Sequence, residues 1–203
     1  PMPRLAEEAA RDLVEVLIYS NAPLDEIRGA LAWLDRAVPH DLRTTSALEV
    51  MDLAASAGAP EALVAAGNLG VDAGRDDRYP DAVHKVHAKM GATLLDLGRG
   101  EDAWRHLLSS AFGDPQNGPV NLGLGEYYEQ QAESLIAKGE TEAAAGRYRR
   151  AFSRYLQAAI RPDSGPSGVE AMARVQAALK ALNADNTSFG ADLVERLIAG
   201  RVR

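Results

Sequence analysis

The chain has 203 residues, a formal net charge of −7, no cysteine, and a composition that is 46% apolar but only 5% aromatic. This composition disfavours β-sandwich and β-barrel folds, because their strands need β-branched and aromatic residues. It favours helices that pack through small side chains. The missing cysteines exclude disulfides and thiolate metal sites, and the acidic balance argues against nucleic-acid binding. No apolar run is long enough to span a membrane. The charged start is unlike a signal peptide, so we expect a cytoplasmic protein or an excised piece of one.

Apolar residues at helical spacing, punctuated by Pro and Gly, predict ten helices and no strand. The expected spans are roughly 5–19, 23–38, 45–57, 60–71, 80–97, 100–112, 122–138, 140–160, 169–182 and 188–199. Residues 113–119 form the clearest of the intervening loops. Because the breaks between successive helices are short, the sequence predicts five helical hairpins and an all-α fold.

The spacing of apolar residues also predicts which helix faces are buried. In the first helix, the expected core residues are Leu5, Ala9, Leu13, Val16 and Leu17. In the third helix, they are Leu48, Met51 and Leu53. The two glycine-containing segments 68–70 and 123–125 are interpreted as loosened helix ends.

A pattern that recurs every 41 residues organises the chain. The residues spaced by this period are Leu53, Leu94 and Leu135, and likewise Ala62, Ala103 and Ala144. A fixed period of this size is typical of stacked helical hairpins, each of which buries its apolar face only against a neighbour. Such a stack offers a long surface instead of one deep pocket. Since no P-loop, GxGxxG or GxSxG motif is present either, we expect no catalysis and no cofactor.

Residues 84–117 resemble a tetratricopeptide repeat, a helical hairpin with small residues where its two helices cross. The matching positions are Gly91 and Ala103 at the crossing, Met90, Leu94 and Leu107 as large apolar residues, Gly98 at the turn, and Asp114-Pro115 at the end. His87 departs from the family, which has a large aromatic residue there. Residues 125–158 repeat the scheme, 43–76 carry a degenerate copy, and 1–42 and 163–203 fit only as atypical capping hairpins.

This resemblance implies a right-handed α–α superhelix of about five hairpins, forming a single domain over residues 1–203. In the family, exposed residues on the first helix of each hairpin line a concave groove that binds a peptide or protein. The corresponding residues here are Lys85, Ala88, Ala92, Leu95, Asp96, Glu126, Glu129, Glu133 and Ile136. Glu126, Glu129 and Glu133 would share one helix face, so we expect a basic partner, unless that face is merely solvated. The expected function is a non-catalytic protein-interaction scaffold.

Three histidines support a different interpretation. His84 and His87 are spaced to lie on one helix face, and His106 lies on the paired helix, so the three could ligate one metal ion. The chain would then be a metal-binding or metal-dependent hydrolase domain. No HExxH motif accompanies these residues.

Two further surface interpretations stay open. Arg147, Arg150 and Arg154 form a basic stripe on the eighth helix, which could bind phosphate or an acidic partner, or could serve only solubility. In addition, the end hairpins could pair between chains, which would make the chain a self-association module.

Overall fold

A computed structural model describes residues 3–74 and 80–182, and every regular element in this part of the chain is helical. The helices are α1 (Pro3–Tyr19), α2 (Leu24–Ala37), α3 (Arg43–Ser56), α4 (Pro60–Gly74), α5 (Pro80–Asp96), α6 (Gly100–Gly113), α7 (Gly118–Ala137), α8 (Thr141–Ala159) and α9 (Gly165–Ala181). A short 3-10 turn, His40–Leu42, links α2 to α3. The predicted all-α class is confirmed, and each of the first nine predicted helices has its counterpart. The tenth, predicted at 188–199, lies outside the described residues.

Consecutive helices pack as hairpins, α1 with α2, α3 with α4, α5 with α6, and α7 with α8. Three of these hairpins turn at a glycine, namely Gly58, Gly98 and Gly139. Each of these glycines has a positive φ, which residues with a side chain rarely adopt. At Gly98, the amide donates to the carbonyl of Leu95 at 2.9 Å, and the following amide donates to that of Leu94 at 2.8 Å. This is the Schellman arrangement that ends many helices. The predicted turns at these glycines are confirmed.

Contacts divide the chain into two compact units, residues 1–113 and residues 114–203. In the first unit, α3 packs against α5 and α2 against α4, whereas α4 and α6 have little direct contact. In the second unit, α9 packs on α8 and also touches α7. None of the described helices is both long and apolar enough to cross a membrane. The assignment of residues 1–203 to a single domain stays a prediction.

Small residues at the helix crossings bring paired helices together, as the repeat pattern predicts. A Cβ atom at Gly91 would lie 2.5 Å from Cγ of Leu107 on α6. Ala103, the other small crossing residue of this hairpin, has no exposed surface, and neither has Ala144 in the following hairpin. Bulkier residues at these positions would separate the helices.

The glycine-containing segments 68–70 and 123–125 lie inside α4 and α7. Gly125 lies against the ring of Tyr155 on α8, and Gly70 is also buried. Their interpretation as loosened helix ends is therefore wrong. Glycine serves here to remove side-chain bulk at close contacts, which sequence alone does not distinguish from a weak helix end.

Helix α1 has nearly the predicted span but buries a different face. Its buried side chains are Ala10, Val14 and Ile18, none more than 3% exposed. Of the predicted core residues, Leu5 is 58%, Leu13 39% and Val16 61% exposed, Ala9 is exposed and Leu17 is half-buried. The predicted stripe is wrong because α1 is apolar on two faces, and periodicity cannot tell which of them packs.

In α3, one of the three predicted core residues is fully buried. Met51 has no exposed surface, but Leu48 and Leu53 are only half-buried. The other buried residues of this helix are Thr44, Ser46, Ala47, Val50 and Ala54.

Helix α7 begins at Gly118, one turn before the predicted start at Leu122. The side chain of Asn117 accepts a hydrogen bond from the amide of Val120 at 3.1 Å and so caps the helix. Pro119 is compatible with this first turn, because proline needs no amide partner there. The loop before α7 is correspondingly shorter than the sequence suggests.

Candidate functional site

The predicted groove residues on α5 form a shallow strip on the surface of the first unit. Lys85, Ala92 and Asp96 are exposed, and Ala88 is half-buried. Their spacing of three and four residues places them on one helix face. Leu95, by contrast, is only 5% exposed, so its assignment to an exposed groove is corrected. The remaining four residues, called the α5 strip below, comprise two small side chains flanked by a lysine and an aspartate.

The predicted groove residues on α7 belong to the second unit. Glu126 and Glu133 are exposed, and Ile136 is 39% exposed. Glu129, the middle member of the predicted acidic stripe, is only 8% exposed. The stripe is therefore interrupted, and Glu129 has a different role from its neighbours.

Glu129 is held by side chains from two other helices. Nε and Nη2 of Arg174 on α9 donate to its two carboxylate oxygens at 2.7 and 2.8 Å. The hydroxyl of Tyr155 on α8 donates to the same carboxylate at 2.6 Å. A bidentate arginine and a short charge-assisted hydrogen bond are strong interactions. These three residues form a clamp that joins α7, α8 and α9, so the assignment of Glu129 to a ligand groove is also corrected.

The charge state of the clamp follows from this geometry. Burial alone would raise the pKa of Glu129, but the hydrogen bonds from Arg174 and Tyr155 outweigh it, and the net shift is downward. Burial, followed by the bond to Glu129, raises the pKa of Tyr155. The clamp is thus an ionised carboxylate held by a cation and a neutral phenol.

His87 and His106 form a direct contact between α5 and α6. Their Nδ1 atoms are 2.8 Å apart and their ring centroids 5.0 Å apart. One nitrogen must donate and the other accept, so the pair cannot carry a proton on both. Burial lowers the pKa of His87 to about 4, with further contributions from His106 and His84. Burial also lowers the pKa of His106.

This contact weakens the metal interpretation. In the described part of the chain, no group of three or more His, Asp or Glu side chains is arranged to hold a metal ion. His84 is half-buried, and its Nδ1 has no hydrogen-bond partner. The three histidines are therefore neighbours in space without forming a ligand set. His87 fills the position where the resembling family has an aromatic packing residue.

The arginine stripe on α8 is engaged with its surroundings. The guanidinium of Arg150 lies over the ring of Tyr128, 5.9 Å from its centroid. Arg154 donates to Oδ1 of the buried Asn121 at 3.2 Å. These contacts with α7 give the stripe a packing role, which the charge pattern alone did not indicate.

The structure also contains a cleft that no sequence motif indicates. It has a volume of about 380 Å³ and lies between α4 and α6 in the first unit, with Met90 and Leu94 of α5 at its floor. Its other lining residues are Leu24, Arg28, Glu61, Val64, Ala65, Asn68, Leu97, Arg99, Asp102 and His106. Arg99 pairs with Asp102 at 2.8 Å, and Arg28 pairs with Asp25 at 3.2 Å. No local motif could reveal this cleft, because it depends on the separation of α4 from α6.

Comparison with known proteins gives a fold likeness only. No protein-family model and no curated protein matches the sequence. Among solved structures, the chain is similar to the crystal structure of MamA protein, with 11% sequence identity and a TM-score of 0.47. The match covers 91% of this chain and 97% of that one. The assignment to the all-α helical-hairpin class therefore stands on the helices and turns described above.

Proposed function

We propose that the chain is a non-catalytic, tetratricopeptide-like scaffold that binds a peptide or protein partner along the first helices of its hairpins. The observation that carries this proposal is the α5 strip. Ala88 and Ala92 let a ligand backbone approach the helix closely, while Lys85 and Asp96 offer charges of opposite sign at the two ends. A preformed surface of this kind binds through many modest contacts, with ion pairs setting specificity and encounter rate.

The exposed face of α7 extends the proposal to the second unit. Glu126 and Glu133 are two exposed carboxylates, and Ile136 adds a partly exposed apolar side chain. Because Arg174 neutralises Glu129 and is itself 58% exposed, this face is less acidic than the sequence pattern suggests. A partner with a few positive charges is compatible with it, and a strongly basic one is not required.

The test is affinity capture from a native lysate, with the full chain as bait. Replacing Ala88 and Ala92 together by Arg should fill the strip and remove the captured partner. Ala143 and Ala177 are exposed alanines on α8 and α9, so the same double replacement there is the matched control. Circular dichroism would verify that both variants fold.

A second double variant tests the contribution of charge to partner binding. Changing Glu126 and Glu133 to Lys should weaken capture of a basic partner, while Glu129 is left intact so that the clamp is preserved.

Equal recovery of the partner by the unmodified chain and by the Ala88 and Ala92 double variant would contradict the proposal. Loss of capture in the control variant as well would point to a general effect of added positive charge.

A further inference from the structure

Helix α1 is apolar on two opposite sides. One side packs into the first unit through Ala10, Val14 and Ile18. At 3.6 residues per turn, a second set of apolar residues projects away from this core. These residues are Leu5, Leu13, Val16 and Tyr19, which are 58%, 39%, 61% and 58% exposed. This second side is called the outer face of α1 below.

The outer face of α1 gathers four exposed apolar side chains on one side of a helix. Single exposed apolar residues are ordinary, but several together on one helix face mark an interaction site. Val16 and Tyr19 also line a shallow depression with Asp12, Glu15 and Ser20. The outer face therefore combines apolar anchors with acidic neighbours.

The charge on this face has one sign in the described part of α1. Asp12 lies among the apolar residues and Glu15 lies at their edge, and both are exposed. Arg11, the basic residue whose side chain is described on this helix, points elsewhere. It pairs with Glu7 on α1 and with Glu49 on α3. Among the described side chains of α1, the outer face thus presents carboxylates and no cation.

We infer that the outer face of α1 binds a basic amphipathic α-helix of another protein, with an apolar stripe flanked by Lys or Arg. Helices commonly recognise each other through apolar anchors at helical spacing. Here Leu5, Val16 and Tyr19 would pack on the stripe, and Asp12 and Glu15 would meet the flanking cations. This surface is separate from the α5 strip, so the inference does not depend on the proposed function.

A second copy of the chain is a poor occupant for the same face. Two-fold pairing of α1 with itself would set Leu5 opposite Tyr19 of the other copy. Asp12 lies midway between these residues in the sequence, so the two Asp12 carboxylates would meet at the symmetry axis. A parallel pairing would also place like charges opposite each other. Like-charge contacts of this kind oppose association.

The test uses two designed helical peptides with the same leucine stripe, one flanked by lysines and one by glutamates. Fluorescence anisotropy would measure their binding to the full chain. We expect the lysine peptide to bind at least about tenfold more tightly. Val16→Asp should abolish that binding, because it places a charge among the apolar anchors.

A charge-reversal variant distinguishes the local face from the net charge of the chain. Asp12→Lys combined with Glu15→Lys should shift the preference to the glutamate peptide. Asp41→Lys combined with Glu170→Lys changes the total charge equally at exposed positions elsewhere, and it should leave the preference for the lysine peptide intact.

Several results would overturn the inference. These are absence of binding by either peptide, equal binding of both, or an unchanged preference after reversal of Asp12 and Glu15. Sedimentation equilibrium should show a monomer, and a dimer that Val16→Asp dissociates would assign the face to a second copy. Co-sedimentation with phosphatidylcholine vesicles that Val16→Asp abolishes would instead assign it to a lipid surface.

Discussion

Ala88 on α5 and Glu129 on α7 are one 41-residue period apart, yet their environments differ. Ala88 stays partly open on the α5 strip, whereas Glu129 is 8% exposed and clamped by Arg174. The difference arises in the second unit, where α9 packs on α8 and brings its arginine to α7. A repeat therefore specifies a position on a helix, while the exposure of that position depends on the element that packs next to it.

One polar contact in each unit, the His87–His106 pair and the Glu129 clamp, differs from the other in charge. His87 and His106 of the first unit form a neutral hydrogen-bonded pair, with lowered pKa values. The clamp of the second unit is an ion pair, and its carboxylate pKa is also lowered. Lowering a pKa keeps a histidine neutral but keeps a carboxylate charged. Acid should therefore affect these two contacts over different pH ranges.

The largest expected effect comes from breaking the clamp. Arg174→Ala should lower the free energy of unfolding by about 2 kcal/mol, because it leaves the buried Glu129 carboxylate with fewer donors. Urea unfolding monitored by far-UV circular dichroism would measure it. Arg150→Ala is the control, since its guanidinium lies over Tyr128 without a clamp, and it should cost about 0.5 kcal/mol. Equal losses in the two variants would mean that the clamp adds no special stability.

The second largest effect is expected where α5 and α6 cross. Gly91→Ala should destabilise the first unit by about 1.5 kcal/mol, because the new Cβ would press against Leu107. The position one period later is already Ala132. Trp33 and Trp104 both lie in the first unit, so tryptophan fluorescence during urea unfolding reports on it.

Gly29 provides the matched control for this substitution. No atom lies within 4 Å of a Cβ placed there. Gly29→Ala in the middle of α2 should therefore stabilise the protein by up to about 1 kcal/mol through helix propensity. Stabilisation by Gly91→Ala as well would show that α5 and α6 can separate at no cost.

A smaller effect is expected from pH. The folded pKa of His87 is about 4, below its unfolded value of 6.5, so the unfolded chain binds the proton first as the pH falls. Stability should decline between pH 6.5 and pH 4 by about 1 kcal/mol, a figure reduced for solvent screening of a half-buried group. His87→Phe should remove this part of the pH dependence in thermal melts. An unchanged slope in the variant would contradict a neutral histidine pair.

Glu129 should respond to acid at a lower pH than His87. Its folded pKa lies below its ordinary value of 4.5, so its contribution to stability is present above that pH and is lost as the pH falls through the folded pKa. Glu129→Gln should flatten the pH dependence of stability below about pH 4.5 and leave the slope of that dependence unchanged at higher pH.

The smallest effect is expected at Ala88, the partly exposed residue one repeat period before Glu129. Ala88→Glu should change the free energy of unfolding by less than about 0.5 kcal/mol, because the new carboxylate can reach solvent. Thermal melting at neutral pH would measure it. A loss as large as that of Arg174→Ala would show that the α5 strip is closed.

The sequence allowed correct prediction of the features that depend on local chemistry. Gly98 and Gly139 indicated the turns because a positive φ favours glycine strongly. Gly91 and Ala103 indicated a helix crossing because small residues permit close approach. These signals are carried by a few residues and do not require knowledge of distant contacts.

The features that depend on distant contacts were predicted poorly. Two opposite faces of α1 are apolar, so periodicity assigned Val16 to the core although Val14 is the buried residue. Likewise, the acidic spacing around Glu129 suggested a surface stripe, since no local pattern links this residue to Arg174 forty-five positions away. The cleft between α4 and α6 has the same origin, because it depends on how two hairpins stack.

The glycine turns carry a stereochemical consequence. No atom lies within 4 Å of the position that an L-residue's Cβ would occupy at Gly98 or Gly139, so torsional strain and not lack of space disfavours L-alanine there. A D-residue relaxes at positive φ, since its torsional preferences are mirrored. D-alanine introduced at Gly98 by peptide ligation should stabilise the hairpin by up to about 1 kcal/mol, as it restricts the unfolded chain. At each of these two turns, a D-amino acid would therefore fit the backbone better than any L-amino acid that has a side chain.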